Sequence, residues 1–208
     1  MQIEGLTQNT PEWLVHRLGM VTASRMSDVM AKLKRKDGEA AARRNYRGEL
    51  VCEILTGRAV EHYVSPAMED GLEREPIAKE AYSIKFDVEV LPGGFWAHDV
   101  IPRLGASPDS LIAEDGLAEF KCPLLTTHLD YLLNEEVPEE YLWQMLTQMA
   151  CTGRQWCDFV SYNPEMPEKY QLWVKRVPRD NALIAALEAE TLHFLEDVIE
   201  TITKLEAK

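Results

Sequence analysis

The chain has 208 residues, 46% of them hydrophobic and 27% charged, and its formal net charge is −13. This composition excludes a disordered or fibrous protein, and the length suits a single domain over residues 1–208. No apolar run reaches the roughly 18–20 residues of a membrane span, and no secretory signal opens the sequence. We therefore expect a cytoplasmic protein with no membrane partner, whose four cysteines are free thiols.

Helices are predicted for most of the first 84 residues. Thr10 suits the N-cap of the first helix, and Pro11 suits its first position because that position needs no backbone N–H. Gly57 ends the third helix, which carries apolar residues at helical spacing. The four predicted helices cover about residues 10–19, 22–30, 41–55 and 65–84.

Positive charge is concentrated near the N-terminus although the chain as a whole is acidic. Residues 1–60 hold ten Lys and Arg against seven Asp and Glu, a balance of +3, which leaves −16 for the remaining residues. The basic side chains cluster at Lys32, Lys34, Arg35, Lys36, Arg43, Arg44 and Arg47. Such a cluster either binds phosphate groups or forms an ordinary solvated surface, and its spacing alone favours neither.

Short strands separated by turn residues follow the helices. The predicted strands cover about residues 88–91, 94–98, 105–113, 117–122, 156–162 and 170–177, with helices at 139–152 and 181–205. The last helix is long and amphipathic. Helices, an antiparallel meander, a helix, two strands and a final helix predict an α+β domain, or an α/β/α domain with a mixed sheet.

The central meander carries a group of residues whose side chains suit metal binding and catalysis. Glu119 and Lys121 alternate onto one face of a strand, and a hairpin turn at residues 115–116 brings Asp109 alongside them. Two carboxylates beside an ammonium group suit a hard divalent cation, with the Phe120 carbonyl as a third ligand. Lys121 would then orient or deprotonate the attacking water. The alternative is a solvated salt-bridge cluster without chemistry.

Neighbouring segments favour the site over that alternative. Glu75 adds a carboxylate from the preceding helix, with Glu73 as a weaker competitor, and Gln144 and Gln148 lie one turn apart on the helix after the meander. In chain order the sequence presents G-x-x-x-E, S-P-D, E-x-K and Q-x-x-x-Q. This series resembles the motifs of the PD-(D/E)xK nucleases of the exonuclease branch.

A second motif near the N-terminus narrows the resemblance. Residues 13–24 read W-x-x-x-R-x-G-x-x-T-A-S, and residues 107–123 contain S-P-D followed by E-x-K-C-P. Together they resemble the phage lambda exonuclease-like family, which includes the alkaline exonucleases of viral recombination systems, over about residues 13–177. The resemblance implies a restriction-endonuclease-like core, a central mixed β-sheet flanked by helices. It places DNA-end and 5′-phosphate contacts in residues 1–84, the catalytic sheet and helix in 85–177, and an amphipathic helix in 178–208.

The resemblance also implies roles for individual residues. Asp109, Glu119 and the Phe120 carbonyl would bind Mg²⁺, and Mn²⁺ would be able to substitute for it. Glu75 would assist a second metal ion, in part through a water molecule. Lys121 would activate the nucleophilic water with the help of Gln144. The implied 5′-phosphate ligands are Arg17, Ser24, Ser107 and Gln144, and the implied DNA contacts are Lys34, Arg35 and Met68. Relatives often have tyrosine where Gln148 stands, so the role of Gln148 stays open.

The implied activity is that of a processive 5′→3′ exonuclease. It would degrade one strand of linear double-stranded DNA, starting from 5′-phosphorylated ends, and leave a 3′ overhang for recombination by single-strand annealing. A phage or prophage would encode it, and it would work in the bacterial cytoplasm as a toroidal homotrimer with an annealing recombinase as partner. An endonuclease on the same core is the alternative. An iron–sulfur nuclease is disfavoured because the last cysteine, Cys157, lies far from the C-terminus.

Overall fold

The computed structural model describes residues 1–3, 5, 6, 8, 10–32 and 38–208. These residues form seven α-helices and nine β-strands. The helices are α1 (Pro11–Arg17), α2 (Met26–Met30), α3 (Ala41–Thr56), α4 (Pro66–Phe86), α5 (Leu125–Asn134), α6 (Glu139–Thr152) and α7 (Asn181–Glu206). The strands are β1 (Gln2–Ile3), β2 (Val21–Thr22), β3 (Val90–Pro92), β4 (Phe95–Ala97), β5 (Leu104–Ala106), β6 (Ser110–Ile112), β7 (Gly116–Lys121), β8 (Trp156–Tyr162) and β9 (Leu172–Pro178).

The predicted helices are confirmed, except that α2 starts at Met26, after strand β2 and a 3-10 turn over Ala23–Arg25, and local hydrogen bonds explain several of their ends. The Thr10 hydroxyl accepts from the backbone N–H of Trp13 at the start of α1, and the Ser65 hydroxyl caps α4. Gly57 ends α3 in the left-handed conformation, with φ +65°. Helix α5 was not predicted, because Leu124 at its N-cap makes no side-chain hydrogen bond that would mark a helix start.

The strands form two sheets instead of one. The larger sheet has the order β3-β6-β7-β8-β9 and is mixed, since β7 and β8 are parallel while the other neighbours are antiparallel. This sheet confirms the predicted α+β fold with a central mixed sheet flanked by helices. A smaller sheet of order β1-β4-β5-β2, which was not predicted, places the short strand β2 parallel to β5.

The prediction of one run over residues 105–113 is wrong. The run is interrupted at residues 107–109, so that β5 belongs to the smaller sheet and β6 to the larger one. Pro108 has no N–H with which to continue a β-ladder. The turn before β4 packs tightly on this link, because a Cβ atom at Gly93 would lie 1.7 Å from the Pro108 carbonyl oxygen. The three-residue link therefore joins the two sheets at a fixed point.

The larger sheet is covered on both faces. On β7, Leu117 packs into a core shared with α2, α3, α6 and α7, whereas Ala118 and Phe120 pack into a second core with α4. Because side chains alternate along a strand, Glu119 points to the same face as Leu117, toward α6. The alternation thus decides which helix meets the polar residues of β7. No helix in the described ranges is long and apolar enough to cross a membrane.

Two arginines of the basic N-terminal cluster form ion pairs within the protein, which neither interpretation of the cluster anticipated. Arg43 is only 9% exposed and forms ion pairs with Glu190 at 2.6 Å and Asp197 at 3.2 Å, both on α7. Arg47 pairs with Glu39 at 2.9 Å. The ion pairs of Arg43 join α3 to α7. The predicted DNA contacts Lys34 and Arg35 lie outside the described residues.

Candidate active site

The catalytic candidates of the meander meet where β6 begins and β7 ends. The backbone N–H of Phe120 donates to Asp109 Oδ2 at 2.7 Å. Since the N–H and C=O of a strand residue point to the same edge, the Phe120 carbonyl also faces the side of Asp109. The hairpin register, in which Ser110 pairs with Ala118, sets Asp109 beside residues 119 and 120.

The Glu119 carboxylate is buried and receives three hydrogen bonds. Its side chain is 1% exposed. Its Oε1 accepts from Lys121 Nζ at 2.5 Å and from Gln144 Nε2 at 2.6 Å. Its Oε2 accepts from Gln148 Nε2 at 2.6 Å. The alternative of a solvated salt-bridge cluster is therefore wrong, because a solvated cluster would not bury a carboxylate among amides.

The charges of the site are unbalanced. Burial raises the pKa of Asp109 above its ordinary value, and repulsion by Glu119 raises it further. Burial lowers the pKa of Lys121, but the attraction of Glu119 and Asp109 outweighs that effect, so the pKa of Lys121 is raised and its ammonium keeps its proton. When both carboxyl groups are ionised, one ammonium group faces two carboxylates, and a further cation would relieve the repulsion between them.

The donor set fits a magnesium ion. Asp109, Glu119 and the Phe120 carbonyl offer oxygen ligands at one place, and Mg²⁺ is commonly held by one or two carboxylates while it keeps several waters. Nowhere in the described part of the chain do three or more His, Cys, Asp or Glu side chains form a complete metal-binding group. An ion at this site would therefore complete its coordination with water and substrate oxygens.

Glu75 lies at the same cleft but is already paired. Its carboxylate contacts Lys79 Nζ at 2.6 Å, one turn further along α4. Lys79 also donates to the backbone carbonyl of Asp109 at 3.1 Å, so it joins α4 to the link between the sheets. Its competitor Glu73 is exposed and does not line the cleft. Glu75 is thus the carboxylate that α4 contributes, with its charge balanced by Lys79.

Arg17 brings a guanidinium group into the same cleft. Arg17 stacks on the ring of Trp13 with 3.9 Å between the guanidinium carbon and the ring centroid. No carboxylate in the described ranges pairs with Arg17, and burial lowers the pKa of its guanidinium. The indole N–H of Trp13 donates to Ser107 Oγ at 2.9 Å. Ser24 is exposed beside Thr22, with 3.4 Å between the two hydroxyl oxygens.

These groups share one cleft of about 240 Å³. The predicted site residues that line it are Arg17, Ser24, Glu75, Ser107, Asp109, Glu119, Phe120, Lys121 and Gln144. Met68 does not line it. Met68 is 55% exposed and lines a neighbouring groove of about 540 Å³, which shares Arg17, Thr22 and Ser24 with the cleft. The structure therefore brings the metal-binding and phosphate-binding candidates together and sets Met68 one groove away.

Several residues of the site were not predicted from the sequence. Lys79 could have been found, because it stands four residues after Glu75 on a predicted helix, the spacing of an intrahelical ion pair. Trp13 is buried, and it supports both Arg17 and Ser107. Tyr141 lies under Lys121, with 4.9 Å between the ammonium nitrogen and the ring centroid. No local pattern marks the contacts of Trp13 and Tyr141.

We expect Asp109→Asn to stabilise the metal-free protein at alkaline pH and to have little effect near pH 4. The raised pKa means that folded Asp109 keeps its proton while unfolded Asp109 loses it, so folding stability falls as the pH rises from about 4 through the raised pKa. Asparagine cannot ionise and still accepts from Phe120. A gain of about 1 kcal/mol corresponds to about 2–4 °C in Tm for a domain of this size. Thermal melting in EDTA at several pH values measures the difference; a constant offset at every pH would contradict it.

Comparison with known proteins gives consistent matches. The sequence profile of the YqaJ-like viral recombinase domain matches residues 12–155. An alkaline exonuclease from Laribacter hongkongensis, LHK-Exo, is 44% identical with a TM-score of 0.88, and the match covers 95% of this chain and 97% of that chain. The structure of LHK-Exo in complex with dAMP matches with the same identity and coverage and a TM-score of 0.89.

A more distant structure shares the fold alone. The phage related exonuclease from Haemophilus somnus 129PT is 12% identical with a TM-score of 0.75, and the match covers 89% of this chain and 96% of that chain. A comparison with curated protein sequences found no match. The fold is thus retained where the sequences have diverged almost completely.

Proposed function

This chain belongs to the YqaJ-like viral recombinase domain family, and from that premise we propose that it is a magnesium-dependent 5′→3′ exonuclease acting on linear double-stranded DNA. Family membership and 44% identity to an alkaline exonuclease confirm the predicted resemblance and a nuclease of this type. The polarity, the metal and the product are our proposal. They are supported by the cleft that joins the carboxylates of Asp109 and Glu119 to the Arg17 guanidinium, with which no described carboxylate forms an ion pair.

That juxtaposition favours cleavage at a DNA end. An unpaired guanidinium binds phosphate with two parallel hydrogen bonds, and a terminal phosphate offers more charge than an internal one. Bound at Arg17, Ser24 and Ser107, the 5′-phosphate would set the first phosphodiester bond toward Asp109 and Lys121. An endonuclease has no need of such a group beside its carboxylates. The complex of LHK-Exo with dAMP, a nucleoside monophosphate, is consistent with removal of single nucleotides.

The reaction would be hydrolysis, in which a water oxygen attacks phosphorus and the sugar oxygen leaves. A magnesium ion held by Asp109, Glu119 and the Phe120 carbonyl would supply a Lewis acid and a water of lowered pKa. Lys121, held by Glu119, would direct its ammonium group at the charge that develops on the phosphoryl oxygens. Gln144 donates to the same carboxylate oxygen and would position the water or the phosphate.

The test is digestion of a linear duplex with separate labels on the 5′ and 3′ ends of one strand. With Mg²⁺ or Mn²⁺ we expect release of the 5′ label as a mononucleotide while the 3′ label stays in long fragments, and no release in EDTA. Covalently closed circular DNA serves as the control and should remain intact. Early release of the 3′ label would contradict the polarity, activity in EDTA would contradict the metal, and nicking of the circle would favour the endonuclease.

We also propose that the protein encircles DNA as a homotrimer and passes the 3′ strand to an annealing recombinase, in the cytoplasm of a bacterium that carries the phage or prophage. A single 23.7 kDa subunit is too small to surround a duplex. A ring of three copies requires an interface that closes after three turns of 120°. The supporting argument is family resemblance together with the basic residues around Lys34 and Arg35.

Sedimentation equilibrium at micromolar concentration is expected to give a mass of three subunits. A mass of one or two subunits would contradict the ring. Charge reversal at Lys34 and Arg35 should weaken DNA binding and shorten the tract digested per binding event, and binding should fall less steeply with salt because fewer phosphates are neutralised. A short oligonucleotide duplex, which needs no processivity, provides the control and should still be digested. Unchanged tract length would mean that this segment is an ordinary solvated surface.

A further inference from the structure

Gln148 is bound at both ends of its amide group and has no solvent exposure. Its Nε2 donates to Glu119 Oε2 at 2.6 Å, and its Oε1 accepts from the Cys157 thiol on β8 at 3.8 Å. Burial raises the pKa of Cys157, which therefore keeps the proton that it donates. The Glu119 carboxylate can only accept a hydrogen bond, so it faces the amide nitrogen of Gln148. The Cys157 thiol donates its proton, so it faces the amide oxygen, and the amide has a single orientation.

The two oxygens of Glu119 face different surroundings. Oε1 is held by Lys121 and Gln144, which both line the cleft. Oε2 is held by Gln148, which does not line the cleft. The terminal torsion of glutamate is broad, so a carboxylate anchored on one side only would rotate. The hydrogen bond from Gln148 fixes that rotation and leaves Oε1 on the cleft side.

We infer that Gln148 is a positioning residue, which fixes the Glu119 carboxylate and thereby makes the site favour Mg²⁺ over larger divalent cations. The inference rests on the proposed function, in which Glu119 is a ligand of Mg²⁺. Mg²⁺ needs nearly octahedral ligands at about 2.0–2.1 Å, whereas Ca²⁺ accepts irregular ligands at about 2.3–2.6 Å. A freely rotating carboxylate would therefore weaken Mg²⁺ binding much more than Ca²⁺ binding.

The residue type at position 148 suits this role. Gln148 adds a donor without adding a charge, so it orients Glu119 and leaves the negative charge available to a cation. A lysine here would neutralise the carboxylate, and a glutamate would repel it. Residues behind a metal ligand typically change metal affinity by about 10–100-fold when they are replaced. The helical spacing from Gln144 places the cleft-side and core-side donors one turn apart on α6.

The test compares Gln148→Met with the parent protein. Methionine has a similar length and lacks the amide, so it removes the hydrogen bond while it still fills the space. Bound Mn²⁺ is measured by electron paramagnetic resonance in the absence of DNA, with Mg²⁺ or Ca²⁺ as competitor. We expect the dissociation constant of Mg²⁺ to rise about 10–100-fold and that of Ca²⁺ to rise by no more than about threefold.

Thr147→Val is the matched control. Thr147 is also fully buried on α6, but its hydroxyl donates to the Trp143 carbonyl within the helix and contacts no site residue. Both dissociation constants should match those of the parent in this variant. Cys157→Ala, which frees the far end of the Gln148 amide, should move the Mg²⁺ constant in the same direction by a smaller factor. If Gln148→Met does not fold, Cys157→Ala serves as the test variant in its place.

The outcomes separate the inference from the proposed function. Equal weakening of Mg²⁺ and Ca²⁺ would make Gln148 a structural residue, and unchanged constants would leave it without a role toward the metal. Either result overturns the inference while the proposed function stands. A parent protein that digests DNA but binds neither Mn²⁺ nor Mg²⁺ would overturn both. A selective loss of affinity for Mg²⁺ in Gln148→Met supports both the inference and the proposed function.

Discussion

Lys121→Met is expected to slow DNA cleavage by at least ~10²-fold without unfolding the protein, because it removes the ammonium group aimed at the developing charge. Asp109→Asn is expected to lose as much activity while it folds at least as stably as the parent, since it removes one of two repelling carboxylates. Functional sites often retain such repulsion at a cost in stability. Initial rates on a linear duplex, together with thermal melting of each variant, measure both effects.

Lys85→Met serves as the matched control for a lost lysine. Lys85 lies on α4, contacts the Leu172 carbonyl and lines no part of the cleft. Its rate should equal that of the parent. Parent-like cleavage by Lys121→Met and Asp109→Asn would mean that the chemistry takes place elsewhere in the molecule. A loss of activity in all three variants would point to a general effect of charge and not to this site.

Arg17→Ala is expected to reduce kcat/KM on 5′-phosphorylated ends about 10–10²-fold and to leave 5′-hydroxyl ends almost unaffected. Charge-assisted hydrogen bonds to a phosphate contribute about 1.5–3 kcal/mol, and a hydroxyl end does not make them. The guanidinium of Arg17, stacked on Trp13 in the cleft, motivates the prediction. Rates on paired substrates that differ only in the terminal phosphate measure it.

Two further variants sharpen that experiment. Arg17→Lys keeps the charge but loses the planar fork, so it should recover only part of the preference for phosphate. Arg58→Ala removes an exposed arginine that lines neither the cleft nor the groove, and its end preference should be that of the parent. If the parent protein digests 5′-phosphorylated and 5′-hydroxyl ends equally, Arg17 does not bind the terminal phosphate.

The sequence predicted elements and residues whose signals are local. The capping residue Thr10 marked a helix start, and the alternation along β7 predicted that Glu119 and Lys121 share a face. Helix α5 has no such cap, and β2 has only two residues, too few for a periodic pattern. The amphipathic pattern of α7 could be seen, whereas its ion pairs to another helix could not.

Contacts between segments far apart in the chain could not be predicted from the sequence. Arg43 was interpreted with its basic neighbours, but its partners on α7 stand about 150 residues later in the chain. The role of Gln148 depended on which helix faces β7, a property of the layered fold and not of the motif. The split at residues 107–109 carried a signal in Pro108, yet only the pairing of the strands showed that the two halves join different sheets.

The link between the sheets, residues 107–109, fixes the distance between two parts of the cleft. Ser107 at one end contacts Trp13 beside the proposed phosphate site, and Asp109 at the other end contacts Phe120 at the proposed metal site. Pro108 between them is held by Gln8, and three residues span at most about 10 Å. In an exonuclease built in this way, the distance from the bound end to the broken bond is a property of the backbone. The number of nucleotides removed per cut would then stay constant through side-chain changes that alter the rate, and would change only if the link gained or lost a residue.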